Sequence, residues 1–239
     1  MISKNQIKLI RQLEQKKFRR REGLFVAEGP KVVGDLLRAG YRPQMLFSTN
    51  DWPGALLVTA DELRKISFLQ HPQGVVAVFP TPPETSTTSA IPTAGLYLAL
   101  DGVQDPGNLG TIIRIADWFG IDTIFCSEDT VDAWNPKVVQ ATMGSIARIH
   151  LVYTDLVRLL DSTPLPVYGT LLDGENIYTQ PLISDGIIVM GNEGNGISQP
   201  VRERITHRLL IPSFRKGDTA ESLNVAVATA IVCSEFRRR

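Results

Sequence analysis

Three clusters in the second half of the chain carry side chains that could do chemistry, and each follows a run that reads as a buried strand. The first is DGVQDPGNLGTIIRIADWFG, residues 101–120. A strand ends at Asp101, a Pro-Gly turn follows, and a helix starts near Asn108, where an N-capping side chain belongs. Arg114 lies about one and a half turns into that helix, among Ile112, Ile113, Ile115 and Ala116. A buried or half-buried guanidinium in such company needs an anion: a ligand, or an internal carboxylate such as Asp117 or Asp101. The second cluster is IIVMGNEGNGIS, residues 187–198, with Gly191, Gly194 and Gly196 around Asn192 and Glu193. Glycines after a strand let the backbone approach a ligand closely or turn with positive φ. The spacing is neither the dinucleotide G-x-G-x-x-G nor a phosphate loop, which argues against dinucleotides and nucleoside triphosphates bound in those modes. Ser198 then reads as the cap of the next helix. The third cluster is LLIPSFRKGDTAESLNVAVATAIVCSEF, residues 209–236. Ser222 and Asn224 flank Leu223 at a helix start, Ser222 reading as the N-cap and Asn224 as a first-turn polar residue. Ala226, Ala228 and Ala230 allow that helix to pack closely on a neighbour. Taken singly, each cluster has a purely structural reading.

The elements that must position these side chains alternate. Residues 3–21 read as one amphipathic helix, with Ile7, Ile10 and Leu13 at helical spacing and Lys4, Lys8, Arg11, Lys16 and Arg19 on its polar side. A strand at 25–27, a helix opened by Pro30, strands at 45–48 and 56–59, a helix at 60–67 and a strand at 74–79 complete a small α/β unit over 1–80. Residues 81–94, rich in Pro, Thr and Ser, read as a linker. Over 95–239, strands at 96–102, 122–127, 149–153, 166–172, 186–191 and 208–212 alternate with helices at 107–119, 136–144, 154–160, after Ser198, and 223–237. That order implies a mainly parallel sheet covered on both faces.

The chain has 239 residues, 43% apolar and 21% charged, which fits one large globular domain or two modest ones. No apolar run approaches the ~20 residues of a membrane span. The basic start lacks the apolar stretch of a secretory signal, and Glu14, Glu22 and the scarcity of Ser argue against a transit peptide, so a cytoplasmic location is expected. Cys126 and Cys233 sit in apolar surroundings, His71, His150 and His207 are scattered, and no metal site is expected. Formal net charge is zero but unevenly spread: 1–42 carry eleven Lys/Arg against four acids, 43–199 six against seventeen, and 200–239 eight against four. Basic ends suit a polyanion partner, although a solvated helix face would look the same. Lys16, Lys17, Arg19, Arg20 and Arg21, with Arg215 and Lys216 in the third cluster, are the candidate phosphate contacts.

Together the clusters read NxGxxxR, GNEGxGxS and IP…SLNVAVATAI, and in this order they resemble the three motifs of the SpoU (TrmH-like) family of RNA ribose 2′-O-methyltransferases. The resemblance covers 95–239. FVAEGPKVVGDLL, residues 25–37, also resembles the substrate-binding domain that precedes the catalytic domain in many members, a fold shared with some ribosomal RNA-binding proteins. The resemblance implies an α/β fold whose parallel-sheet domain carries a deep trefoil knot, which general topology rules would have argued against. It implies S-adenosylmethionine held in the knotted loops, homodimerisation through the C-terminal domain, and RNA as substrate, ribosomal before transfer RNA. Carried onto this chain, the catalytic set is Asn108, Arg114, Glu193, Ser222 and Asn224. The cofactor set is Thr170, Leu171, Gly191, Asn192, Glu193, Gly194, Gly196, Ile211, Ser222, Leu223 and Asn224. The loop between Ile211 and Ser222 is longer than in many members. A base-nitrogen methyltransferase on the same scaffold and a catalytically silent RNA-binding or ribosome-assembly factor are the competing readings.

Overall fold

The computed structural model describes residues 1–83, 91–218 and 220–238. They fall into two units: Met1–Pro83 together with Asp132–Arg148, and the remaining described residues. Residues 84–90 of the expected linker lie outside the described residues.

The first unit holds α1 (Lys4–Gln12), α2 (Lys16–Glu22), β1 (Leu24–Glu28), α3 (Pro30–Arg38), β2 (Met45–Ser48), β3 (Leu56–Leu57), α4 (Ala60–Ile66) and β4 (Val75–Pro80). The strand order is β1-β4-β2-β3, with β4 antiparallel to β1 and β2. Ser3 with Gln6 and Thr59 with Glu62 form capping boxes that start α1 and α4. Ile10, Leu13, Val26, Phe47, Leu63, Ile66, Val76 and Val78 form the core, each full burial stabilising by about 1.5–3 kcal/mol.

The single helix expected over 3–21 is broken at 13–15. The cause lies in Arg19, which is 2% exposed. Its Nη1 donates to the carbonyls of Leu13 (2.8 Å) and Glu14 (2.7 Å), groups freed at the end of α1. Its Nε and Nη2 reach Asp132 Oδ2 at 2.9 and 2.5 Å. Arg19 therefore does not join the open basic face expected to meet RNA: four of its five N–H donors are engaged within the fold and its buried guanidinium is closed to a phosphate.

The rest of the chain runs β5 (Leu96–Asp101), α5 (Pro106–Trp118), β6 (Thr123–Cys126), α6 (Pro136–Ala141), β7 (His150–Tyr153), α7 (Leu156–Ser162), β8 (Val167–Asn176), β9 (Gly186–Gly191), α8 (Gln199–Arg202), β10 (His207–Leu210) and α9 (Val225–Arg237). α6 belongs to the first unit. There Trp134, just before it, packs its ring 4.4 Å from that of Phe25. The other elements form the second unit, a six-stranded sheet ordered β10-β8-β9-β5-β6-β7 in which every pairing is parallel. All six residues of β9 are buried, as a central strand covered on both faces requires. Pairing of β5 with β9 runs from Leu96↔Gly186 to Asp101↔Gly191. It sets the first two clusters side by side at the C-terminal ends of neighbouring strands. From there the chain leaves toward β6 on one side and toward β10 on the other, the switch point at which open parallel sheets take ligands. β8 is longer than expected. Its partner β10 pairs Arg208 with Gly169 and then Leu209 with Glu175, so residues 170–174 bulge out of the ladder. Gly174 permits this, since a Cβ there would lie 2.5 Å from the Leu209 carbonyl carbon.

Candidate active site

The loop after β5, the loop after β9 and the start of α9 are tied by one chain of hydrogen bonds. Asp105, not Asn108, caps α5, and its Oδ1 accepts from the Asn108 amide at 2.8 Å. Asp105 precedes Pro106, an N-cap followed by Pro at the first helical position, and that local signature was the clue to the true start. Asn108 is thereby freed, and its Nδ2 donates to Glu193 Oε1 at 3.0 Å. Glu193 also accepts the amides of Gln104 (3.2 Å) and Asp105 (3.1 Å). On the other side Asn108 Oδ1 accepts from Asn224 Nδ2 at 2.9 Å. Asn224, not Ser222, caps α9, its Oδ1 accepting from Ala226 and Val227 amides at 2.9 and 3.3 Å. The orientation of both amide side chains follows from the ends of this relay. A carboxylate only accepts and helix amides only donate, so each asparagine has one consistent direction.

Burial opposes ionisation of Glu193, but the donors from Asn108, its own backbone and the Gln104 and Asp105 amides outweigh it and hold the carboxyl below its usual range. Asn192 adds a second tie. Its Nδ2 donates to the Gly102 carbonyl at 2.7 Å, while its Oδ1 accepts the amides of Gly194 and Asn195. Buried Asp101 accepts the Ser198 amide at 2.6 Å, and the Ser198 side chain makes no cap bond to α8. The loop folds back through an Asn192↔Gly196 bridge. Only glycine fits at 191, because a Cβ would lie 2.3 Å from the Gly196 carbonyl carbon.

Arg114 does not take part. It is exposed, and among the described residues it has no hydrogen bond or ion pair. The expectation of a half-buried Arg held by Asp101 or Asp117 gives way: its side chain turns to the surface, and the Asp101 carboxylate is engaged by Ser198. Six residues beyond Asn108, it lies about 9 Å further along α5. Thr170 and Leu171 stand half-buried in the β8 bulge, where Thr170 Oγ1 meets Met190 Sδ at 3.7 Å. Ile211 is half-buried, and Ser222 and Leu223 are exposed with no side-chain bond to the relay. Lys16, Lys17, Arg20 and Arg21 are exposed on or around α2. Lys17 and Arg21 flank the Phe18 ring at 4.9 and 4.8 Å, and Arg21 pairs with Glu22. Arg215 and Lys216 are exposed.

The loops after β8, β9 and β10 offer glycines, backbone groups and uncharged side chains more than formal charges. That donor set fits S-adenosylmethionine, a sulfonium joined to an adenosine, which needs shape and a few hydrogen bonds. Among the described residues no group of three His, Cys, Asp or Glu could hold a metal ion. Burial pushes the Cys233 thiol up to about 12 and Cys126 up as well, so both are inert thiols. No described helix is long and apolar enough to cross a membrane.

Residues 95–234 match the SpoU rRNA Methylase family, and residues 4–77 match the MRM3-like substrate binding domain. The 23S rRNA (guanosine(2553)-2′-O)-methyltransferase RlmP of Bacillus subtilis is 32% identical over 98% of this chain and 97% of its own length. The S-adenosylmethionine-bound rRNA methyltransferase from Sinorhizobium meliloti superposes with a TM-score of 0.87 at 32% identity, over 100% of this chain and 97% of that one. A structure from Porphyromonas gingivalis assigned to the TrmH family of RNA methyltransferases gives 0.86 at 44% identity, over 100% and 99%. With a family match over more than half its length and full-length likeness to these relatives, the chain belongs to the SpoU rRNA methylase family.

Proposed function

We propose that this protein transfers the methyl group of S-adenosylmethionine to a ribose 2′-hydroxyl of ribosomal RNA. The observation that carries the reading is the Glu193–Asn108–Asn224 relay, which locks the three motif loops into one surface at the β5/β9 switch point. The bound cofactor supplies a methyl already activated by its sulfonium. The chain then has to hold and orient two substrates, where proximity provides much of the rate. Glu193 and Asn192 hold the β9 loop in the shape that grips the cofactor, with Thr170, Leu171, Gly191, Gly194, Gly196, Ile211 and Leu223 lining the same site through backbone and apolar groups. Asn108, Ser222 and Asn224 face the reacting ribose. Arg114 binds the phosphate beside it and sets the hydroxyl in line with the methyl. Its planar fork of N–H donors suits it to positioning.

Several structural readings go with this function. The backbone through β8, β9 and the loop before α9 forms a deep trefoil knot. Two copies associate through the second unit: α5 and α9 pack together yet leave Trp118 85% and Val227 51% exposed, and Arg114 is free on the same helix pair. The N-terminal residues 1–80 recognise RNA, with Lys16, Lys17 and Arg20 on phosphates, and the enzyme works in the cytoplasm.

The test is transfer of labelled methyl from S-adenosylmethionine to total RNA from cells lacking the protein, followed by nucleoside analysis. Label in a 2′-O-methylnucleoside of ribosomal RNA is expected. Label in a base, or RNA binding with neither cofactor binding nor transfer, overturns it.

A further inference from the structure

The long loop between β10 and α9 presents a phenyl ring that nothing among the described residues covers. Phe214 is 85% exposed, matched among the described large apolar side chains past Met1 only by Trp118. Trp118 stands on a helix surface; Phe214 stands on a loop, followed by Arg215 and Lys216. Both cations are exposed, and among the described residues neither has an ion-pair partner. The loop ends at Asn224, whose Nδ2 holds Asn108, so it is tethered at the relay. Gly217, at φ +85°, turns the chain just beyond the cations with open space around its Cα.

An aromatic face beside a guanidinium and an ammonium is what an unpaired nucleobase with its flanking phosphate requires. The ring stacks on the base, and the cations take the phosphate. Residues 43–199, which carry the other two motif clusters, are acidic, with six Lys/Arg against seventeen Asp/Glu, so this loop brings paired cations to motif surfaces that are otherwise poor in them. We infer that Phe214 is a stacking platform for a nucleobase next to the methylated nucleotide, with Arg215 and Lys216 on the adjoining phosphates. This rests on the RNA methyl-transfer reading and adds to it a specificity-determining contact to a single-stranded segment.

The experiment measures steady-state methyl transfer to the RNA that wild type modifies, together with S-adenosylmethionine affinity and oligomeric state, for F214A, F214W and R215A/K216A. Wild-type failure to transfer would sink the parent reading, not this one. Given wild-type transfer, F214A should raise KM for RNA by about 5- to 150-fold, the range of one base stack on an aromatic ring, and F214W should restore it. Cofactor affinity and oligomeric state should not change in either variant. R215A/K216A should weaken RNA binding and reduce its salt slope by about two phosphate contacts. An unchanged KM in F214A, or dissociation of an oligomer by F214A, overturns the inference; the second result would make Phe214 a contact between copies.

Discussion

Replacing Arg19 by Ala should destabilise the first unit by about 3–5 kcal/mol, the cost of removing one partner from a buried ion pair. The geometry supports the upper half of that range. The Arg19 side chain is 3% exposed and Asp132 15%, so the carboxylate left behind is only partly rehydrated. The Leu13 and Glu14 carbonyls also lose their donors. Water can reach Glu14, which is exposed, so its loss adds little. Domains of this size are stable by roughly 5–15 kcal/mol in total, hence one substitution removes a large share. With a urea dependence of about 2 kcal/mol per molar, a loss of ~4 kcal/mol lowers the midpoint by ~2 M. Trp134, packed on Phe25 in the same unit, is the fluorescent reporter. Replacing both partners by apolar residues, R19M/D132L, should recover part of the loss, because no charge is left buried alone. A midpoint shift in R19A below ~0.5 M would refute the reasoning. So would a fall in RNA affinity with the midpoint unchanged, which would return Arg19 to the RNA-binding face.

Further outcomes are expected at four other places in the chain. E193Q should cut S-adenosylmethionine affinity and turnover by about ten-fold, the loss of a charge-assisted acceptor partly screened by solvent; unchanged affinity in a calorimetric titration would break the relay argument. Because the folded Glu193 carboxyl lies below its ordinary 4.5, its contribution is fully present above that value and fades as pH falls through the lower folded one, so the wild-type cofactor affinity should owe nothing to Glu193 titration between pH 8 and 6. R114A should abolish turnover and leave cofactor binding nearly intact; full turnover removes Arg114 from the mechanism. W118D/V227D should shift sedimentation to the monomer, and an unaltered sedimentation coefficient overturns the proposed association through these side chains. Changing Lys16, Lys17 and Arg20 to Glu should weaken RNA binding and flatten its salt dependence, whereas equal affinity and slope would make them a solvated helix face.

Much of the architecture was legible because the second unit is a parallel sheet. Its strands are short apolar runs between helices, and β9 spans the expected 186–191. Errors gathered where the deciding partner is distant in sequence. Hydrophobic spacing carried one helix through 13–15, since the Arg19 guanidinium that satisfies those carbonyls is itself held by Asp132, 113 residues away. The grouping of 132–148 with the first unit has the same origin: nothing local to that segment announces Trp134 on Phe25 or Arg19 on Asp132. The β8 bulge was invisible because a strand's alternation does not report the register of its neighbour.

The active-site surface shows the same division between type and partner. Residue kind and order pick out Asn108, Glu193 and Asn224, yet local sequence points to Asn108 and Ser222 as caps where the structure has Asp105 and Asn224. The correction carries the functional meaning. If Asn108 had capped α5, its oxygen would have been engaged by its own helix and could not have accepted from Asn224. With Asp105 in that place, Asn108 becomes the middle of a one-way chain from the Asn224 amide to the Glu193 carboxylate. Asn224 does cap α9, and so fixes the far end of the chain to that helix's amides. A displacement of the loop after β9 at Glu193 would therefore strain the start of α9 through two side chains. That coupling, rather than any one of the three residues, makes the loops a single surface.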